Sequence, residues 1–224
     1  TEVKRGLIDH VPELAIADVL GSTEGGMGQS IMTKDTPPSE TAKFTLLPVA
    51  KVLLPDGSRE VVPGSGEVGM VAQGGMVPLG YYKDPEKSAK TFKEIDGTRY
   101  AFIGDMATID ADGTINLLGR GSNCINTGGE KVFPEEVEEA LKLHPDVADA
   151  LVFGLEDERF GNRVAGVVSL EQGGTAEAGD ILEATRKLLA SYKLPKDLLV
   201  VPVVPRAPNG KADYKSAKAL MADS

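Results

Sequence analysis

The chain has 224 residues, 41% of them hydrophobic, and no apolar run long enough to span a bilayer, so one large or two smaller globular domains are expected and a membrane span is not. A formal net charge of −10 leaves no excess of Lys and Arg to displace phosphate counterions, which argues against nonspecific binding to nucleic acid or anionic lipid. A single cysteine, Cys124, permits no internal disulfide, and His10 and His144 are too far apart for a metal-ligand spacing, so a reducing, cytoplasmic setting is expected.

The N-terminus has no initiating methionine and no charged and apolar blocks of a signal peptide, and a fragment of a longer protein is expected. Leu14 to Leu20 reads as a strand that stops at the glycine-rich loop Gly21–Gly28 (GSTEGGMG). Such a loop can bring backbone amides and the Ser22 and Thr23 hydroxyls close to a phosphate, with Glu24 offering a carboxylate to magnesium. The same composition also suits a plain turn. Phe44 to Leu54, Glu67 to Gln73 and Tyr100 to Phe102 read as further strands separated by turn formers. Asp84 as N-cap, Pro85 in first position and Glu86 in the first turn predict a helix to about Phe92. Gly104 and Asp105 are expected to end a strand ahead of a hairpin at Asp110–Gly113. Asp105 there suits either a cap or the paired hydroxyls of a sugar.

Gly119 to Glu138 (GRGSNCINTGGEKVFPEEVE) then reads as a hinge, a glycine loop at Gly128 and Gly129, and a helix start at Pro134. Val137 to Leu143 continue that helix. Ala148 to Phe153, Val164 to Leu170 and Leu198 to Val204 read as strands. Asp180 is the expected cap of a helix from Ile181 to about Ala190, with Leu182, Thr185, Leu188 and Leu189 on its inner side. The loop PRAPNGK presents Lys211, ordinarily a solvated surface charge, and Asp213 caps the last helix. No internal repeat or low-complexity tract is visible.

Taken together and in order, GSTEGG, the GD of Gly104 and Asp105, GRGSN…GGEKVFPEEVE and PNGK make the whole chain similar to the C-terminal part of an acyl-CoA synthetase, of the fatty-acid or steroid side-chain type, in the adenylate-forming family. That resemblance implies an α+β fold. Residues 1–118 would be the end of a large domain with a β-barrel-type subdomain, and 119–224 a small mobile domain. It implies ATP, Mg2+ and CoA as cofactors and co-substrates, a small-molecule carboxylate as substrate, and the missing N-terminal part of the same enzyme as partner. Position by position, Ser22 and Thr23 would meet the α-phosphate, Glu24 would hold magnesium, and Gly25 and Gly26 would border the acyl pocket. Asp105 would bind the ribose hydroxyls, Arg120 the nucleotide, and Ser122 would stand at the hinge. Gly128, Gly129 and Glu130 would approach the pantetheine channel, and Lys211 would be the adenylation lysine.

Three departures from the family pattern accompany this. Ser122 replaces the usual aspartate or lysine of the hinge, Ile103 the usual threonine before GD, and Leu20 a tyrosine that often stacks on adenine. The Ser/Thr/Gly-rich phosphate loop that the family places upstream is absent, so the chain alone is expected to be inactive. An adenylation domain loading a carrier protein, and a noncatalytic nucleotide-binding or interaction module, are the alternatives. The glycines of Gly25–Gly28 would leave room for a long or bulky acyl group.

Overall fold

In the computed structural model, which describes residues 2–36 and 43–222, contacts divide the chain between Leu118 and Gly119 into two units. The first begins with a helix the sequence reading did not anticipate, α1 (Glu2–His10), whose Ile8 is buried while its neighbour Leu7 is exposed. Among its described side chains Ile8 alone is buried, too thin an apolar stripe to register as a helical period.

Among the described residues that unit further holds β1 (Ile16–Ser22), β2 (Gly25–Met32), β3 (Lys43–Leu46), β4 (Ala50–Leu53), β5 (Gly69–Gly74), α2 (Pro85–Thr91), β6 (Phe92–Ile95), β7 (Thr98–Ile109) and β8 (Ile115–Arg120), whose last two residues lie past the division. The strands follow one antiparallel path, β1-β2-β3-β8-β7-β5-β4, with β6 pairing β7. β2 also touches β4 and β5, so the sheet curls over a core that includes Met27, Val52, Val71 and Ile115.

Local chemistry explains most of the strand limits, including three that differ from expectation. Pro48, with no N–H for a ladder, divides the expected strand Phe44–Leu54 into β3 and β4. The expected loop Gly21–Gly28 is instead a tight hairpin in which only Thr23 and Glu24 form the turn. β7 does not end at Gly104 and Asp105 but continues to Ile109, still paired with β5 through Met70↔Met106 and Gly69↔Ala107. Gly104 supplies the positive φ of 96° that this irregular stretch of ladder requires. The helix predicted from Asp84 is α2, and the Asp84 side chain accepts the Lys87 amide at 3.0 Å.

The second unit holds β9 (Ile125–Thr127), β10 (Glu130–Val132), α3 (Pro134–Lys142), β11 (Val147–Asp157), β12 (Gly161–Leu170), α4 (Ala178–Thr185), β13 (Asp197–Val200) and α5 (Tyr214–Ala222). Its sheet runs β10-β9-β12-β11, with β13 parallel to β12. The strands are apolar on both faces because both are covered. Ala150, Val152, Val164 and Val168 meet Val137 and Leu141 of α3 and Ile181 of α4, while Leu151, Phe153, Ala165 and Val167 meet Ala217 of α5.

Two details of this unit correct the sequence reading. Glu177, rather than Asp180, caps α4, and Asp180 is the returning partner of a capping box. Thr185 and Leu189 face the core as expected and Ile181 joins them, but the helix ends at Thr185, whose hydroxyl donates to the Ile181 carbonyl at 2.8 Å, and Leu188 lies exposed beyond it. β13 likewise stops at Val200, two residues before Pro202, which cannot donate to a ladder.

Candidate functional site

In the first unit the β1–β2 turn places three polar side chains together. The Ser22 hydroxyl accepts the Glu24 amide at 3.1 Å, and the Thr23 hydroxyl donates to the Glu24 carboxylate at 3.0 Å. The Tyr81 phenol donates to the other carboxylate oxygen. That phenolic hydrogen bond is the main reason the Glu24 carboxyl is drawn down to about 2 from an ordinary 4.5, with the Ser22 and Thr23 hydrogen bonds adding to it against a smaller opposing effect of burial. Glu24 is therefore a fixed anion at neutral pH.

Tyr81 itself is held by the start of α2. Its amide donates to the Ser88 hydroxyl at 2.8 Å, which in turn donates to the Asp84 carbonyl at 2.7 Å. Its ring packs 5.5 Å from Phe92, and the Lys87 ammonium stands 3.9 Å from its ring centre. Sequence reasoning missed Tyr81, because no local pattern links it to a turn 57 positions earlier.

Glycines of the hairpin answer to crowding. A Cβ on Gly25, whose φ is 150°, would come within 2.9 Å of the Gln73 side chain, and one on Gly28 within 3.1 Å of the Thr45 carbonyl. The room over these two is thus filled by the protein, which accounts for glycine there without reference to a ligand. A Cβ on Gly26 would meet Leu47 at an ordinary 3.5 Å. Gln73, buried on β5, donates its amide to the Gly74 carbonyl at 3.1 Å. Asp105 is buried within β7, the strand that pairs with β5, and so neither caps a helix nor precedes a turn.

No group of three or more His, Cys, Asp and Glu assembles for a metal among the described residues. A single ionised carboxylate, such as Glu24, nonetheless fits magnesium, which takes most of its ligands from water and from nucleotide phosphates.

In the second unit Arg120 is exposed at the end of β8, with its amide directed to the Glu135 carboxylate at 3.4 Å. Ser122 sits in the short helical turn Gly121–Asn123 that follows. Gly128 and Gly129, with φ of 59° and 90°, form the two-residue turn between β9 and β10, and Glu130 opens β10, exposed. Lys211 is exposed on a loop closed by two backbone hydrogen bonds, Ala207 N to Lys211 O and Gly210 N to Ala207 O, both 2.8 Å. Beside that loop Arg206 makes a two-pronged ion pair with Asp149, at 2.9 and 2.7 Å.

Glu138 of α3 is largely buried, and burial pushes its carboxyl up to about 7 although the Val152 amide donates to it at 2.9 Å. Tyr214 is pushed up to about 12, by burial first and then by the charges of Glu138 and Glu135. A cavity of about 310 Å³ in this unit, lined by Asn123, Cys124, Asn162, Tyr214 and Lys218 among others, includes neither Arg120 nor Lys211.

Residues 136–211 match the family model described as the AMP-binding enzyme C-terminal domain. The chain is 46% identical over 219 residues to a medium/long-chain-fatty-acid–CoA/3-oxocholest-4-en-26-oate–CoA ligase of Mycolicibacterium smegmatis, covering 97% of this chain and 40% of that protein. It is 46% identical to a 3-oxocholest-4-en-26-oate–CoA ligase of Rhodococcus rhodochrous, covering 96% and 39%. The chain thus spans about two fifths of the length of these relatives. Among solved structures, ATP-bound MatB from Rhodopseudomonas palustris superposes with a TM-score of 0.75 at 29% identity, covering 93% of this chain and 40% of that one. No described helix is long and apolar enough to cross a membrane.

Proposed function

The chain belongs to the adenylate-forming acyl-CoA ligase family, and on that premise we propose that it is the C-terminal part of an ATP-dependent carboxylate–CoA ligase acting on medium- or long-chain fatty acids or steroid side-chain acids. The observation that carries this reading is 46% identity, along nearly the whole chain, to ligases named for those acids.

Two half-reactions follow. A carboxylate oxygen of the acid attacks the α-phosphorus of ATP, the bond to the leaving pyrophosphate breaks, and an acyl-adenylate results. The thiol of CoA, losing its proton, then attacks the acyl carbonyl, and the bond to AMP breaks. Charge accumulates on the phosphates during the first step, so a cation on an exposed, conformationally closed loop such as that of Lys211 suits transition-state stabilisation. Ser22 and Thr23 would meet the α-phosphate at the hairpin tip. Glu24, ionised and held by Tyr81, is the carboxylate that would hold magnesium; when bound, the ion neutralises charge on the transferring phosphates. Asp105 would accept from the ribose hydroxyls, and Arg120 would contact the nucleotide. Gly26 would border the acyl group, and Gly128, Gly129 and Glu130 would lie along the path of the pantetheine arm.

We assign residues 1–118 to the end of the large domain and 119–224 to a mobile domain that swings about Arg120–Ser122 between the half-reactions, removing Lys211 before the thiol enters. The test is mass detection of acyl-CoA formed by the full-length enzyme from ATP, Mg2+, CoA and a panel of acids. Preference for fatty or steroid acids over acetate supports the substrate class, whereas equal or better turnover of acetate removes it.

A further inference from the structure

The Lys211 loop is tied down at both ends, and one of the ties is made by side chains with no role assigned above. At its far end Ala212 bridges back to Arg206, and Asp213 caps α5 by accepting the Ser216 amide at 3.1 Å and hydroxyl at 2.7 Å. Within the loop, Asn209 accepts the Lys211 amide at 3.1 Å and Gly210 adopts a φ of 78°. These bonds give the loop a shape, and Val204 and Ala212, packed in the cluster with Leu151 and Phe153, hold its two ends to the sheet, but none of these sets its orientation there.

Arg206 does. Its Nε and Nη2 donate to the two oxygens of Asp149 at 2.9 and 2.7 Å, and Nη2 also reaches the Ala150 carbonyl at 3.3 Å. Asp149 stands where the β11–β12 register shifts between Val147 and Asp149, an irregularity of the kind that re-aims a side chain. Its carboxylate is further held by the Ala150 amide at 2.9 Å. Burial disfavours the Asp149 anion, but the Arg206 hydrogen bonds and charge, with that amide, together keep it below the usual carboxylate range. Both side chains remain about one-third exposed, so the pair adds little to global stability; what two parallel N–H···O bonds supply is direction.

We propose that Arg206 and Asp149 are positioning residues for adenylation, fixing the Lys211 loop to the edge of β11 so that the ammonium is delivered in one orientation. The proposal rests on the reading of Lys211 as the adenylation lysine. It concerns the first half-reaction alone, since Lys211 is absent from the second. A lysine at position 206 keeps the charge but cannot make the fork, and asparagine at 149 keeps the shape but loses the anion.

The experiment compares wild type with Arg206→Lys and Asp149→Asn in the full-length enzyme. Adenylation is followed by pyrophosphate release, thioester formation from supplied acyl-adenylate and CoA, and hydrogen exchange at the Ala207 and Gly210 amides. Adenylation should fall on the order of 10- to 100-fold, mostly in kcat, with the thioester step changed less than about twofold. The two loop amides should exchange about tenfold faster. Unchanged adenylation, or equal loss in both half-reactions with loop exchange unaltered, overturns the proposal. If wild type makes no acyl-adenylate, the role of Lys211 falls instead, and the exchange rates still decide whether the pair anchors the loop.

Discussion

Tyr81 donates its phenolic hydroxyl to the Glu24 carboxylate across 57 positions of sequence, so the residue that fixes the charge at the hairpin tip lies outside the hairpin. Tyr81→Phe removes that donor and should return the Glu24 carboxyl from about 2 toward 4.5. The folded carboxyl titrates below the unfolded one, so the stability carried by the anion is complete above 4.5 and is lost as pH falls from there toward 2. The variant should therefore lose less stability than wild type over that window. An NMR titration of the Glu24 side chain checks the shift; an unchanged midpoint refutes it.

Glu138 has the opposite dependence. The unfolded carboxyl ionises near 4.5 while the folded one keeps its proton to about 7, so stability declines as pH rises across that interval and stays lower above it. Glu138→Gln retains an acceptor for the Val152 amide and carries no charge. It should flatten the decline and be more stable than wild type at pH 8, by no more than about 3.5 kcal/mol at about 1.4 kcal/mol per tenfold change in proton affinity. Denaturant unfolding at pH 5 and pH 8 measures the difference.

Gly119 has a φ of 126°, and a Cβ there would collide with the Glu135 carboxylate. Gly119→Ala should destabilise the second unit by about 1–3 kcal/mol through backbone strain. Adding Glu135→Ala should recover only the share due to the clash. Full recovery in the double variant would show that the positive φ contributes nothing.

Gly25→Ala and Gly26→Ala separate two readings of the hairpin glycines. The first meets Gln73 at 2.9 Å with a φ of 150° and should lower stability by about 1 kcal/mol or more. The second meets Leu47 at 3.5 Å and should stay within about 0.5 kcal/mol of wild type, so any change in acid preference it causes reports on the acyl site. A loss of stability equal to that of Gly25→Ala would place both glycines in packing.

What was legible in the sequence is what local chemistry writes. Asp84, Pro85 and Glu86 announce α2, Pro134 announces α3, and Asp213 announces α5, because caps and fixed φ act within one turn. The α+β class came with the resemblance that the ordered motifs carry. The glycines of GSTEGGMG were misread as loop because glycine serves flexible turns and crowded strands alike, and only the positions of Gln73 and Thr45 tell them apart. The limit of β7 depends on its partner β5. Tyr81 and Asp149 escaped notice because their partners, Glu24 and Arg206, are each 57 positions away.

The measurement that bears most directly on the ligase reading is a comparison of wild type with Lys211→Ala in the full-length enzyme, each half-reaction followed separately by mass detection. Wild type should form acyl-AMP and then acyl-CoA from a fatty or steroid acid, and Lys211→Ala should lose acyl-AMP formation while still converting supplied acyl-adenylate and CoA to acyl-CoA. Wild type that forms acyl-AMP but never passes the acyl group to CoA would point to a carrier protein as acceptor; no adenylate from any acid, or full activity in Lys211→Ala, would contradict the account.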